Sequence, residues 1–150
     1  MHAFIADVHM RPSNPHDRSR FLAGLKMVKA RAEEVYILGD LFEYWYAGVE
    51  GETADVVAAL SDPGIHIMRG NRDFLLSPPF PGLVDEEELR VEIHGRRILV
   101  SHGHMLTQGD IGFKCLHAVG WPLLRLLDAH TAPDVKRRVA EILVRSSAVI

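Results

Sequence analysis

"EVYILGD", Glu34 to Asp40, sets Val35, Tyr36, Ile37 and Leu38 in one row and then stops on Gly39 and Asp40. A short unbroken apolar run, rich in β-branched and aromatic residues, reads as a strand buried on both faces, the habit of parallel sheets. Upstream, "HAFIAD" reads as another buried strand, and "RSRFLAGLKMVKARA", Arg18 to Ala32, as a helix with Phe21, Leu22, Leu25 and Val28 along one stripe. Downstream, Thr53 to Leu60 reads as a short helix closed by "SDPG", and "IHIM", Ile65 to Met68, as a third strand before "RGNRD". This βαβαβ order predicts a parallel sheet with helical crossovers. "LRVEIHGRRILVSHG", Leu89 to Gly103, places two strand-like runs around "HGR" and reads as a β-hairpin. The rest is helical in pattern, from Ile111 to Asp128 with an interruption near Pro122, then from Asp134 to about Ser146. With no repeat or low-complexity linker, the expectation is one compact unit: an α/β core over 1–110 and a helical, cap-like segment over 111–150.

Composition bounds the function. The chain of 150 residues suits a single domain and is long enough to bury a core without a metal to staple it. A single cysteine, Cys115, forms no internal disulfide and suits a reducing compartment. Neither a membrane-spanning run nor the basic flank of a signal peptide is present, which points to the cytoplasm. Residues 1–110 hold eleven Lys/Arg against seventeen Asp/Glu, and 111–150 hold six against three. An acidic body argues against nucleic acid as a partner.

The chemistry gathers where strands end. Asp7 and His9 follow the first strand as D-x-H, Gly39-Asp40 the second, Gly70-Asn71 the third, and His102 the hairpin. Ligands of open α/β sheets collect at the carboxyl ends of strands, so these residues are expected on one edge. Carboxylate, amide oxygen and imidazole together suit Mn, Fe or Zn, with Asp40 placed to bridge two ions. The glycines before Asp40 and Asn71 are expected to let the backbone turn as the ligand is presented.

In this order the motifs resemble those of the calcineurin-like metallophosphoesterases, D-x-H, G-D, G-N and then H, each at a strand end. "YILGDLFEYW" and "GNRDFLL" are similar to one branch, the UDP-2,3-diacylglucosamine diphosphatases of lipid A biosynthesis. The resemblance implies the α-β-β-α sandwich of that family, lacking here its closing motif and ending in a cap-like helical tail. It implies two divalent ions, Mn2+ as the usual metal, one held by Asp7, His9 and Asp40 and the other by Asp40, Asn71 and His102. It also implies Asp40, Asn71 and Arg72 as catalytic residues, with Asn71 and Arg72 meeting substrate phosphate. The implied reaction is cleavage of the pyrophosphate of a nucleotide-linked lipid, UDP-2,3-diacylglucosamine, to UMP and 2,3-diacylglucosamine 1-phosphate.

The sequence also departs from the family. The pattern normally closes on a G-H-x-H further along, and nothing after His104 has that form. His117, within a helical pattern, and His130, at a helix end, read as structural. His104 becomes a substitute ligand if the strand runs on through Gly103, which would put both imidazoles on one face; otherwise it is a polar residue at the mouth of the site. Trp45, Lys114 and Arg137 are further candidates to touch substrate. "DVKRRVAEILVRSS" sets Val135, Val139, Ile142 and Leu143 opposite Lys136, Arg137, Arg138 and Arg145. That face suits either peripheral contact with an anionic membrane or packing on the core with a solvated basic side. Two alternatives stay open: a phosphatase or phosphodiesterase acting on a smaller ester, and a shortened, catalytically silent domain that binds metal or nucleotide.

Overall fold

The computed structural model describes residues 1–76, 80–106 and 116–147. Lys114 and Cys115, and the side chains of His117, Leu143 and Arg145, lie outside the described residues.

Four strands form a parallel sheet in sequence order: β1 (His2–Ile5), β2 (Glu34–Leu38), β3 (Ile65–Met68) and β4 (Leu83–Val84). β4, only two residues long, follows a proline-rich approach and is too short to leave a periodic signal. Alternation along β2 and β3 sorts the core into two sides. Val35, Ile37, Ile65 and Ile67 face α1 (Pro15–Lys29) and α2 (Ala54–Leu60), where Phe21, Leu25, Val56 and Leu60 are buried with them. Tyr36 and Met68 point the other way, against Val91 and Val100 of β5 (Glu88–Ile93) and β6 (Arg96–Ser101). The layers are therefore helices, parallel sheet and antiparallel hairpin. No helix among the described residues covers the hairpin's outer face, where Leu99 is exposed.

Local chemistry sets the element ends. α1 starts earlier than its apolar stripe indicates, because Asn14 Oδ1 accepts the amides of His16 and Asp17 and Pro15 occupies the first turn. The hairpin turns on His94 and Gly95, both left-handed at φ 52° and 73°, the two-residue geometry that matches the twist of its strands.

The tail forms α3 (Trp121–His130), led in by a π-helical turn at Leu116–Gly120, and α4 (Pro133–Ser147). The helical run changes from π to α between Gly120 and Trp121, beside Pro122, which is the interruption expected there, and Pro122 sits in the first turn of α3. His130 ends α3 with its Nδ1 2.8 Å from the Leu126 carbonyl, the cap position expected of it.

α4 docks by its polar side, contrary to the expected packing of an apolar face beneath a solvated basic one. Lys136 Nζ donates to the Ala47 carbonyl at 3.0 Å and pairs with Asp128 at 3.2 Å, while both Asp128 oxygens accept the Ala47 amide at 3.1 Å. Val135, Val139 and Ile142 are left exposed. Pairing the backbone amide and carbonyl of residue 47, together with the largely buried ion pair, outweighs the apolar stripe. Lys136→Ala leaves Asp128 without its cation, and amide exchange across α3 and α4 is expected to quicken about tenfold or more, with β2 and β3 unchanged. Equal exchange in both proteins would show that this clasp does not hold the tail.

Candidate metal centre

The segments after β1 and β2 continue side by side beyond their strands. His9 N–H donates to Asp40 O, Met10 N–H to Leu41 O and Glu43 N–H to Met10 O, each at 3.0 Å. This places D-x-H beside Gly-Asp. Asp7, His9 and Asp40 are all left-handed, at φ 53°, 51° and 50°. Such backbone is costly for residues other than glycine, and its clustering is typical of a functional edge.

Asp40 lies at the centre with only 3% of its surface exposed. Its Oδ1 accepts the Arg72 amide at 2.8 Å, and its Oδ2 lies 3.8 Å from His9 Nε2 and 3.7 Å from His102 Nε2. Asp7 Oδ1 lies 3.9 Å from His9 Nε2. Two donors each about 2.1 Å from a common ion are at most about 4.2 Å apart, so these separations, too long for hydrogen bonds, fit shared coordination. Asp7, Asp40 and His102 each offer an atom within 4.8 Å of the others.

His102 shows the donor set of the centre most directly. Its Nδ1 lies 2.7 Å from the Leu38 carbonyl, an acceptor, so Nδ1 carries the proton. In the neutral ring Nε2 then turns its lone pair toward Asn71 Oδ1 at 3.0 Å and Asp40 Oδ2 at 3.7 Å. Imidazole nitrogen, amide oxygen and carboxylate thus converge, a donor set that suits a cation. The residues fit a divalent ion.

The two motif glycines have different reasons to be there. Gly39 has φ +89°, the turn expected of it, and a Cβ there would meet His102 Nδ1 at 2.6 Å. Gly70 has no such φ; its lack of a side chain is what lets Asp40 approach, since a Cβ would lie 2.0 Å from Asp40 Oδ1.

Two carboxylates that the sequence did not single out organise the centre. Asp73, fully buried, accepts the amides of Gly70 at 2.8 Å, Phe42 at 3.1 Å and Asp40 at 3.3 Å, tying the β2 and β3 loops together. Burial pushes its carboxyl up to about 6, against the pull of those amides and with Asp40's charge adding to the rise. Asp73→Ala strips these buried donors of their acceptor, and the urea midpoint is expected to fall by the equivalent of about 3 kcal/mol. An unchanged midpoint would mean that other acceptors, or water, take over. Glu43 is the second: its Oε2 is 2.9 Å from His9 Nδ1 and its Oε1 3.4 Å from Arg72 Nη1. Only the "GD" and "GNRD" contexts hinted at either, since acidic residues in loops ordinarily read as solvated.

Of the remaining candidates, His104 follows the end of β6 at Ser101 and the Gly103 turn at φ +89°, so it does not continue the strand; its ring nonetheless lies 5.1 Å from that of His102, with Glu87 at 3.4 Å and the Trp121 ring at 5.7 Å between centroids. Trp45, 2% exposed, packs between Phe42 and Phe80 in the core and offers no wall to a ligand. Arg137 is held by Glu141 at 3.3 Å and Glu52 at 4.0 Å.

No family model matches the chain. Among curated proteins it is 36% identical, over 91% of its length, to a UDP-2,3-diacylglucosamine hydrolase of Escherichia coli O7:K1, and equally to those of Escherichia fergusonii and Shigella sonnei. The chain spans 62% of the length of each of these relatives. Among solved structures, a conserved uncharacterized protein of Streptococcus pneumoniae TIGR4, titled a predicted phosphoesterase, aligns over 79% of this chain and 52% of its own, with TM-score 0.40 and 20% identity. Over nine-tenths of its length the chain is thus related in sequence to the UDP-2,3-diacylglucosamine hydrolases.

Proposed function

We propose that this chain carries the metal centre of a hydrolase that cleaves the pyrophosphate of UDP-2,3-diacylglucosamine. Water adds to one phosphorus, the bridging P–O bond breaks, and UMP and 2,3-diacylglucosamine 1-phosphate leave. The observation that carries this reading is the convergence of Asp40 Oδ2, His102 Nε2 and Asn71 Oδ1, with His9 and Asp7 on the other side of Asp40. The names of the relatives supply the substrate.

Asp7, His9 and Asp40 would hold one divalent ion, and Asp40, Asn71 and His102 a second, with Mn2+ the first candidate. When bound, such ions acidify water and neutralise charge developing on the phosphoryl oxygens. The chain's own part is positional. Asp40 spans both sides, the Leu38 carbonyl fixes the His102 tautomer, and the Arg72 guanidinium, one-third exposed beside Glu43, is placed to meet a phosphate oxygen.

The test is hydrolysis of UDP-2,3-diacylglucosamine by the purified protein with Mn2+, against bis(p-nitrophenyl) phosphate, with metal content measured alongside. Release of UMP with strong preference for the lipid substrate supports the proposal. Turnover of the simple diester alone points to a smaller ester, and bound ions without turnover to a silent domain. No helix among the described residues is long and apolar enough to cross a membrane. Peripheral contact at the membrane, part of the same proposal, draws support from exposed Leu123, Leu126, Val135 and Ile142 more than from the basic face, whose Lys136 and Arg137 are paired within the protein.

A further inference from the structure

The Glu43 side chain touches both a residue of the ion-holding part of the site and the guanidinium of its phosphate-facing part. Its carboxylate lies between His9 Nδ1, at 2.9 Å, and Arg72 Nη1, at 3.4 Å, and is largely buried. The ladder that joins the loops after β1 and β2 fixes its backbone, through the Glu43 amide on Met10 O. We propose that Glu43 is the positioning residue of this centre, setting the tautomer and aim of His9 with one oxygen and the reach of Arg72 with the other. The proposal rests on the metal-centre reading above.

The physical case begins with His9. Its Nδ1 contact with Glu43 is a close ionic approach, not an aligned hydrogen bond. A carboxylate oxygen at that distance nevertheless repels a lone pair on Nδ1 and favours a proton there. The lone pair then falls on Nε2, the atom that faces Asp7 Oδ1 and Asp40 Oδ2. Carboxylates behind a metal-binding imidazole act in this way, and their loss lowers ion affinity. The second oxygen works against a different error. An Arg72 side chain that swung across would fold onto the acidic residues Asp7 and Asp40 and compete with the ions; Glu43 draws it to one side, next in sequence to Asn71. Because a single carboxylate contacts both, one side chain couples the ion-holding imidazole to the phosphate-facing guanidinium.

The two oxygens can be separated by substitution. Glu43→Gln can keep an oxygen toward His9 but then presents an amide N–H2 to Arg72, whereas Glu43→Ala removes both contacts. Histidine 15N resonances of the metal-free protein read the ring tautomer of His9, and Mn2+ titration reads affinity. Wild type is expected to show a protonated Nδ1. Glu43→Ala is expected to move toward the Nε2-protonated form and to lose about 10- to 100-fold in Mn2+ affinity. Glu43→Gln is expected to keep the tautomer and Mn2+ affinity within about threefold while KM for UDP-2,3-diacylglucosamine rises more than kcat falls. Both variants should match wild type in circular dichroism. A wild-type ring already protonated at Nε2, or an unchanged tautomer and Mn2+ affinity in folded Glu43→Ala, overturns the proposal. If wild type binds no Mn2+ but Glu43→Ala still shifts the tautomer, the metal-centre reading fails and Glu43's hold on the ring stands.

Discussion

Asp40→Asn is expected to lower Mn2+ affinity by at least about a hundredfold, since it removes the charge of a direct donor where even an outer partner is worth 10–100-fold. Hydrolysis should fall on the order of a thousandfold, the several kcal/mol that a correctly held ion supplies to phosphoryl chemistry. Asparagine is the informative substitution. Asp40 is left-handed at φ 50°, a conformation that asparagine tolerates and alanine does not, and Asn keeps an oxygen for the Arg72 amide. Melting of the metal-free variant should therefore stay near wild type, or rise, because a buried carboxylate beside Asp73 has lost its charge. Metal titration, hydrolysis and a thermal melt together make the check. Full Mn2+ binding by a folded Asp40→Asn protein would remove Asp40 from the centre.

The candidate ligands could be grouped from the sequence because they obey a geometric rule. In a parallel sheet the residues after successive strands share one edge, so Asp7, His9, Asp40 and Asn71 fell together once β1, β2 and β3 were placed. His102 reaches the same edge from the hairpin, by laying its ring over Gly39 against the Leu38 carbonyl. What escaped depends on side-chain partners that pattern does not encode. Asp73 lies two residues past Asn71 in a loop that looks solvated, yet it is buried because three amides need an acceptor. Glu43 sits inside "FEYWY", where the aromatic residues draw attention; Trp45 belongs to the core and the acid between them belongs to the site. Lys136 was misjudged for a related reason. A helical wheel ranks faces by hydropathy, while α4 is oriented by the buried pairing of Lys136 with Asp128 and by the backbone of Ala47.

Gly70→Ala is expected to damage the fold and the metal centre together with a single added methyl. The backbone at Gly70 imposes no conformational penalty on alanine, so the entire effect is contact. An added Cβ would lie 2.0 Å from Asp40 Oδ1 and 2.4 Å from Asp40 N, and the second of these atoms cannot rotate away. Asp40 is tied on both sides, its carbonyl accepting the His9 amide at 3.0 Å and its carboxylate the Arg72 amide at 2.8 Å. Relief therefore requires the β2 and β3 loops to part, which breaks the Asp73 bridge between them. The expected loss is about 3 kcal/mol or more in urea unfolding, at the upper end for overpacking, together with Mn2+ binding. Gly24→Ala supplies the contrast: Gly24 lies within α1 with nothing near its absent Cβ, and alanine there should raise stability by up to about 1 kcal/mol. If both variants unfolded like wild type, the close approach of Asp40 to Gly70 would not be a constraint on the fold, and Gly-Asn at this strand end would need another reason for its glycine.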